Sequence, residues 1–355
     1  MAKGYRYPGT KPFSIEDKDI FYGRTQDVER LYQLLNLKSM LIFYSASGIG
    51  KSSLIRAGLI PKLKNKNDEN SDSNGNESDE KTRFPVIIRF GAGDYFDKDE
   101  KEEQQKTLLN IVIAELTKQA NSLKDQVLPF TSDAETYSSL WCLVKLFEKN
   151  NINLLLIIDQ AEEIFTYPAD EVNQLKEELY LLFNRNIPAF LHKKIQLELA
   201  AIRKRTVTTS ETILPTGSDV VQLKEQTIES INKDIEFIYS AIKSKILFAV
   251  REDKLGLFNV FNDYFPDVLK DTYKLLPLSK QNAIEAITGP AEIEDDFASQ
   301  PFNFSSEALK KLLNNIKEDN ETYDPFSIQL NCSYIELNCI IKEGKKNNRG
   351  GRYTG

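Results

Sequence analysis

The run Ser45-Ala46-Ser47-Gly48-Ile49-Gly50-Lys51-Ser52-Ser53 constrains this chain more than any other part of it. It follows Met40-Leu41-Ile42-Phe43-Tyr44, a short apolar run of strand character, and precedes Leu54-Ile55-Arg56-Ala57-Gly58-Leu59, which continues at helical period. Strand, small-residue loop and helix in that order make a phosphate-binding loop. The small residues let successive backbone N–H groups curl round phosphate oxygens, and the helix N-terminus adds its partial positive charge. Residues Ser45, Ala46, Ser47, Gly48, Ile49, Gly50, Lys51, Ser52 and Ser53 are then expected to line the phosphates. Lys51 would reach the β- and γ-phosphates, and Ser52 would ligate Mg²⁺. The pattern has Gly at its first position, where this chain has Ser45. A plain glycine turn capping a helix is the alternative; the apolar strand before it and the spacing of Gly48 and Gly50 favour the phosphate loop.

A second apolar run, Ile152-Asn153-Leu154-Leu155-Leu156-Ile157-Ile158, has the unbroken hydrophobicity of a strand buried on both faces of a parallel sheet. It ends in Asp159-Gln160-Ala161-Glu162-Glu163-Ile164-Phe165. A carboxylate at the C-terminal end of such a strand lies at the sheet edge where ligands bind, so Asp159 is expected to hold Mg²⁺ as a Walker B aspartate does. Hydrolysis further needs a group that orients or deprotonates water. The residue after the aspartate is Gln160, which leaves Glu162 and Glu163 as candidates, Glu162 preferred. The plainer alternative is that these acids cap a helix N-terminus. A third short strand, Lys245-Ile246-Leu247-Phe248-Ala249-Val250, ends in Arg251-Glu252-Asp253. Arg251 is expected to face the γ-phosphate as a sensor, its planar fork suited to phosphate oxygens. A surface ion pair with Glu252 or Asp253 is the rival.

Strands alternating with helices predict a three-layer α/β domain with a parallel sheet and right-handed crossovers. Segment 5–19 reads as an ordered leader rich in Pro, Gly and aromatics, and 27–37, 107–119, 136–149 and 221–241 read as helices. The run 64–80 has no apolar residue and is expected to be a disordered insertion, since it can bury nothing against its ordering entropy. A Thr-rich stretch, 203–219, has no clear pattern. After residue 279 no core strand is evident, and helices at 306–316 and 324–341 predict a small helical domain. The expected division is therefore a leader at 1–24 and a nucleotide-binding domain at 25–275 with insertions at 64–82 and 203–225. A helical lid at 276–343 and a Gly-rich end at 344–355 follow.

With 355 residues and 41% hydrophobic content the chain supports two sizeable cores. A net charge of -7 argues against a general nucleic-acid surface. No apolar run is long enough to span a bilayer, and the first residues, Met-Ala-Lys-Gly-Tyr-Arg, lack a signal-peptide core, so a soluble, cytoplasmic protein is expected. Three cysteines and one histidine rule out a disulfide framework and a zinc site. Cys332 and Cys339, seven apart, read as small core residues on one helix face, and His192 as structural.

These elements together resemble the STAND class of P-loop ATPases, in particular a bacterial branch found in conflict systems. The leader Tyr7-Pro8-Gly9-Thr10-Lys11-Pro12-Phe13 with Asp17 and Phe21-Tyr22-Gly23-Arg24 is similar to that branch's N-terminal signature. The resemblance implies that Gly23 and Arg24 help bind nucleotide; the usual acid after the Arg is Thr25 here. The stretch from Gly48 to Pro61 resembles the family's extended loop and helix, and 159–165 its Asp-Gln-Phe-Glu-Glu block, with Ala161 in place of the aromatic. Arg251 and Asp253 match its Arg-x-Asp strand end. Leu276-Pro277-Leu278-Ser279 and Ala286-Ile287-Thr288-Gly289-Pro290-Ala291 resemble the start of its lid, where the proline, Pro290 here, approaches the base.

By that resemblance the chain is expected to bind ATP or ADP with Mg²⁺, to hydrolyse ATP slowly, and to act as a signalling switch in antiviral or stress responses. It is expected to form a homo-oligomer on activation. ATP over GTP rests on the family, since no Asn-Lys-x-Asp motif is present. The family follows the lid with a winged helix and a sensor, so the chain is expected to be cut short or to rely on a separate sensor or effector protein. Two other readings stay open: a nucleotide-binding regulator with negligible hydrolysis, and an AAA+-like ATPase acting on DNA.

Overall fold

The computed structural model describes residues 4–64, 83–91, 107–123, 126–184, 186–211, 218–318 and 321–341. In chain order these form α1 (Thr25–Leu37), β1 (Met40–Ser45), α2 (Lys51–Ser53, continuing through a wide π-type stretch Leu54–Leu59), β2 (Arg83–Arg89) and α3 (Leu108–Gln119). Then come α4 (Asp133–Ser138), α5 (Leu140–Lys149), β3 (Asn153–Asp159), α6 (Ala169–Phe183), α7 (Ala189–Glu211), α8 (Ser218–Tyr239), β4 (Lys245–Arg251) and β5 (Thr272–Lys274). Three further helices follow: α9 (Lys280–Glu292), α10 (Ser306–Ile316) and α11 (Pro325–Ile335). The five strands are ordered β2-β3-β4-β1-β5. β2 runs parallel to β3 in register from Arg83 against Asn153 to Arg89 against Asp159, and β1 runs parallel to β5 with Tyr44 against Lys274. Successive residues of a strand point to opposite faces, and every residue of β3 is buried. Both faces of that strand are therefore covered, the three-layer α/β arrangement its apolar run predicts.

The structure departs from the sequence reading in several places. Residues 136–149 are two helices, α4 and α5, because Ser139 is extended (φ -113, ψ 127) and caps the second through its side chain. Ser132 and Glu135 form a capping box at the start of α4. The three-residue edge strand β5 is too short for a periodic signal. In the Thr-rich stretch, α7 runs on to Glu211 and α8 begins at Ser218, so much of the segment read as an insertion is helical. Cys339 is exposed while Cys332 is buried. A π-type turn, Glu336–Ile341, follows α11 and changes the residue spacing that a seven-residue face assumes. The expected disordered run and the Gly-rich end lie outside the described residues, apart from Lys64 at the end of the helix that α2 opens. Among the described residues no helix is long and apolar enough to cross a membrane, and no group of residues could hold a metal ion through His, Cys, Asp and Glu alone.

The chain forms two compact units. The first gathers Met1–Asn76, Leu247–Phe258 and Val268–Gly355. Its helical core joins Leu278, Ile287, Leu313, Ile328 and Cys332 with the leader residue Tyr7. Glu336, fully buried, accepts the backbone N–H groups of Arg6 and Tyr7 at 3.1 and 3.2 Å and the Ser299 hydroxyl at 2.6 Å. The Arg6 guanidinium, equally buried, donates to the carbonyls of Pro290, Ile293 and Ser299 and stacks on Phe297 at 4.7 Å. The leader is thus an inner strap of this helical region.

The second unit gathers Glu77–Ile246 and Asn259–Asp267. Here buried Lys145 of α5 caps the C-terminal carbonyls of α8, donating to Phe237 and Ser240 at 3.1 and 2.8 Å. Glu148, one turn on, accepts the N–H groups of Lys243 and Ser244 at 2.6 and 2.8 Å, where the chain turns into β4. His192 meets the Tyr239 hydroxyl at 2.8 Å, a structural contact between α7 and α8.

Removing the Glu336 carboxylate strands two buried N–H donors, so Glu336→Ala is expected to cost about 3–5 kcal/mol in urea unfolding. A loss below about 1 kcal/mol would contradict the strap. In the second unit, burial and the nearby Arg83 guanidinium pull Lys245 down to about 8. The folded state therefore disfavours the protonated amine, and the unfolded chain binds more protons between about 8 and the ordinary lysine value near 10.4. Stability from this group is lowest below that window and recovers as pH rises through it. The stabilising effect of Lys245→Met is expected to be largest at pH 7 and to shrink towards about pH 10.5 in urea titrations; a difference independent of pH would refute it.

Candidate functional site

The small-residue loop closes the end of β1 in the first unit. Ser45 is fully buried and is still part of the strand, with no positive φ, so its position does not demand glycine. Its hydroxyl donates to the Ala46 carbonyl at 2.7 Å, and both its hydroxyl and its carbonyl receive Lys51 Nζ, at 3.0 and 3.2 Å. The residue that departs from the pattern therefore steadies the lysine. Gly48 and Gly50 have φ of +85 and +96, and a Cβ on either would meet nothing. That conformation needs glycine, and the space beside it is open. Gly50 leads directly into α2, and its carbonyl takes the first helical bond, from Leu54 N–H at 2.9 Å. Ala46, Ser47 and Gly48 are exposed, Ile49 is buried, and Ser52 is half-buried on the first turn of α2. A loop with open space at its glycines, at a helix N-terminus and with a lysine at its root, suits a polyphosphate. Ser53 is placed differently: its hydroxyl accepts the Phe13 N–H of the leader at 3.2 Å.

Phe21-Tyr22-Gly23-Arg24 sits between this loop and α9. Gly23 has φ +77, and a Cβ there would strike the Asn282 carbonyl of α9. The Tyr22 ring covers Gly289, whose added Cβ would come within 2.6 Å of it. Phe21 packs on Phe13 and lies against Gly58 of the helix that α2 opens. Arg24 is buried; it donates to the carbonyls of Ile49 and Leu276 at 3.1 and 2.8 Å and pairs with Asp27 at 2.8 Å. Asp27 in turn accepts the Tyr273 hydroxyl at 2.6 Å, and burial, helped by this bond and the Asp27 charge, raises that phenol's pKa. Pro290 is buried, with its carbonyl bound to Arg6.

At the end of β4, Arg251 is half-exposed and makes two 3.1 Å bonds to Asp253, the surface pair named as the rival to the sensor role. Lys274 at the end of β5 pairs with Glu252 and lies over the Tyr44 ring at 6.0 Å. The sequence reading passed over Lys274 because its strand is too short to recognise.

In the second unit, Asp159 ends β3 and is 2% exposed. Arg89, its register partner at the end of β2, places a guanidinium nitrogen 3.3 Å from the carboxylate. This residue too was missed, although a basic residue closing the neighbouring apolar run was its signal. Gln160 takes a left-handed conformation, φ 58, which turns the chain sharply into a 3-10 stretch, Ala161–Thr166. Glu162 and Glu163 lie half-buried on that stretch, directly after Asp159 in the chain. Ala161 is fully buried in the turn.

The sequence profile of a family described as Novel STAND NTPase 1 matches residues 7–322. No curated protein matches the chain by sequence. Among solved structures, the Walker-type ATPase PABY2304 of Pyrococcus abyssi is similar with a TM-score of 0.47 at 12% identity, over 95% of this chain and 73% of that one. The ORC2 protein of Aeropyrum pernix, solved as ADPNP-ADP complexes, gives 0.46 at 13% identity over 94% of this chain and 65% of its own. The ORC1 protein of the same organism, solved in complex with DNA, gives 0.43 at 11% identity over 94% and 66%. This chain spans less than two thirds of either ORC chain.

Gly23→Ala forces a side chain into the α9 backbone at a left-handed φ and is expected to cost about 2–5 kcal/mol. Thermal unfolding checks it, with Gly48→Ala as the comparison: strain without a clash there is expected to cost about 1 kcal/mol.

Proposed function

Because the chain belongs to the Novel STAND NTPase 1 family, we propose that it is an Mg-dependent switch that binds and hydrolyses ATP. The P-loop NTPase domain is the established part of that statement. The observation that carries the rest is the loop with left-handed Gly48 and Gly50, open where their side chains would stand, with Lys51 held at its root by Ser45. In this reading the loop N–H groups and Lys51 hold the phosphates, and Ser52 and Asp159 ligate Mg²⁺. The donor set fits: a hydroxyl on the first turn of α2 and a buried carboxylate ending a parallel strand are hard oxygen ligands. Mg²⁺ held there supplies charge to offset the β- and γ-phosphate oxygens. Glu162 or Glu163 orients the attacking water, Glu162 preferred. Arg251 acts as sensor only after exchanging its pair with Asp253 for phosphate oxygens. ADP, the hydrolysis product, is the second ligand. The signalling role in antiviral or stress responses, a cytoplasmic setting, oligomerisation on activation and a separate sensor or effector protein follow from the family resemblance.

A regulator with negligible hydrolysis is the second reading. Arg89 beside Asp159 favours it, since a guanidinium on a metal-ligating carboxylate weakens the hold on Mg²⁺.

Binding of a fluorescent ATP analogue and single-turnover hydrolysis distinguish the readings. Lys51→Ala is expected to weaken binding by roughly 100-fold or more, the loss of a charge-assisted contact. Glu162→Gln is expected to leave binding intact and slow hydrolysis by about 10²–10⁴-fold, or Glu163→Gln in its place. Equal, negligible rates in the unaltered chain, Glu162→Gln and Glu163→Gln would leave only the regulator. Tight, salt-dependent retention of duplex DNA on a filter would instead add a nucleic-acid function.

A further inference from the structure

Arg24 ties together two stretches of chain that a nucleotide-driven switch has to connect. One branch of its fork holds the Ile49 carbonyl in the phosphate loop at 3.1 Å. The other holds the Leu276 carbonyl at 2.8 Å, in the short link between β5 and the lid helix α9. Asp27 fixes the guanidinium at 2.8 Å and also grips Tyr273, the middle residue of β5. The neighbours extend the hold. Gly23 lies against the Asn282 carbonyl and Tyr22 against Gly289, two points about two turns apart on α9.

From this we propose that Arg24 is a positioning residue that couples the phosphate loop to the lid, not a ligand of the nucleotide. Three of its five N–H donors are committed to protein groups, and the side chain is buried. The coupling has a simple geometric basis. The peptide between Ile49 and Gly50 is trans, so its C=O and N–H point opposite ways. Holding Ile49 C=O to one side aims Gly50 N–H, a phosphate donor of the loop, to the other. When phosphate captures Gly50 N–H, the same peptide is locked and with it the anchor for Leu276. Arginine suits the task because its rigid fork reaches two acceptors at once, whereas glutamine is too short and lysine lacks the fork.

The inference rests on nucleotide binding at the loop, and the test separates the two. ADP binding is measured by fluorescence, and amide exchange over 276–292 is followed with and without saturating ADP. In the unaltered chain ADP is expected to slow that exchange by about fivefold or more, within the usual range of coupling between sites. Arg24→Gln is expected to bind ADP about 5–150-fold more weakly and, at saturating ADP, to show no slowing over 276–292. If that variant does not fold, Arg24→Lys is read in the same way, with loss of the slowing expected. A purely structural role would lower the melting temperature and leave the ADP-linked slowing in place. Slowing retained in either folded variant at saturating ADP overturns the coupling role alone. Failure of the folded, unaltered chain to bind ADP overturns the nucleotide reading and this inference with it.

Discussion

A strand buried along its whole length, as β3 is, has no side chain to spare for solvent and can offer chemistry only at its ends. Both of its faces must be covered, so the chain has to cross over through helices to bring the next parallel strand alongside. The ends of such strands collect the polar residues that the interior refuses. That is why Asp159 closes β3, Arg89 closes β2 beside it, and Arg251 and Lys274 close β4 and β5. The small-residue loop is the same phenomenon at β1: the apolar run stops at Ser45, and the next five residues are small, exposed or glycine, apart from Ile49.

Two buried arginines organise the first unit, and both work through backbone carbonyls. Arg6 gathers three carbonyls around the C-terminal end of α9, and Arg24 gathers two from the loops that flank β1 and β5. Loop carbonyls lack the ladder partners that a helix or sheet supplies, and burying them unpaired is costly. A guanidinium satisfies several at once while its charge is held by a nearby acid, the half-buried Asp27 for Arg24. Glycines do the complementary work at Gly23 and Gly289, where backbone and an aromatic ring come too close for any side chain. The N-terminal segment and the C-terminal helices are therefore packed together, although they stand more than two hundred residues apart in the chain.

Much of this was legible in the residues. The order of strand, small-residue loop and helix, the two continuous apolar runs with an acid or arginine after them, and the helices at 306–316 and 27–37 all follow from periodicity and composition. What escaped were features set by single residues or by pairing. Ser139 splits a helix because its own capping bond competes with helical continuation, which an apolar count over a window does not register. β5 is three residues long and exists only because β1 is there to pair with it. Cys339 leaves the core because the helix changes its winding after Glu336. Arg89 escaped because its relation to Asp159 depends on register.

The sequence by itself determined the α/β class, the place of the small-residue loop between β1 and α2 and the acids after β3, because each is a local pattern of residue type and spacing. Only the tertiary structure decided what the remaining polar groups are for. Ser45 steadies Lys51, Ser53 holds the leader, Arg251 faces Asp253, and Arg24 grips two carbonyls instead of standing open. The physical reason is that a hydrogen-bonding group is defined by its partner. In Arg24 the partners lie 25 and 252 positions along the chain, distances that no local pattern spans.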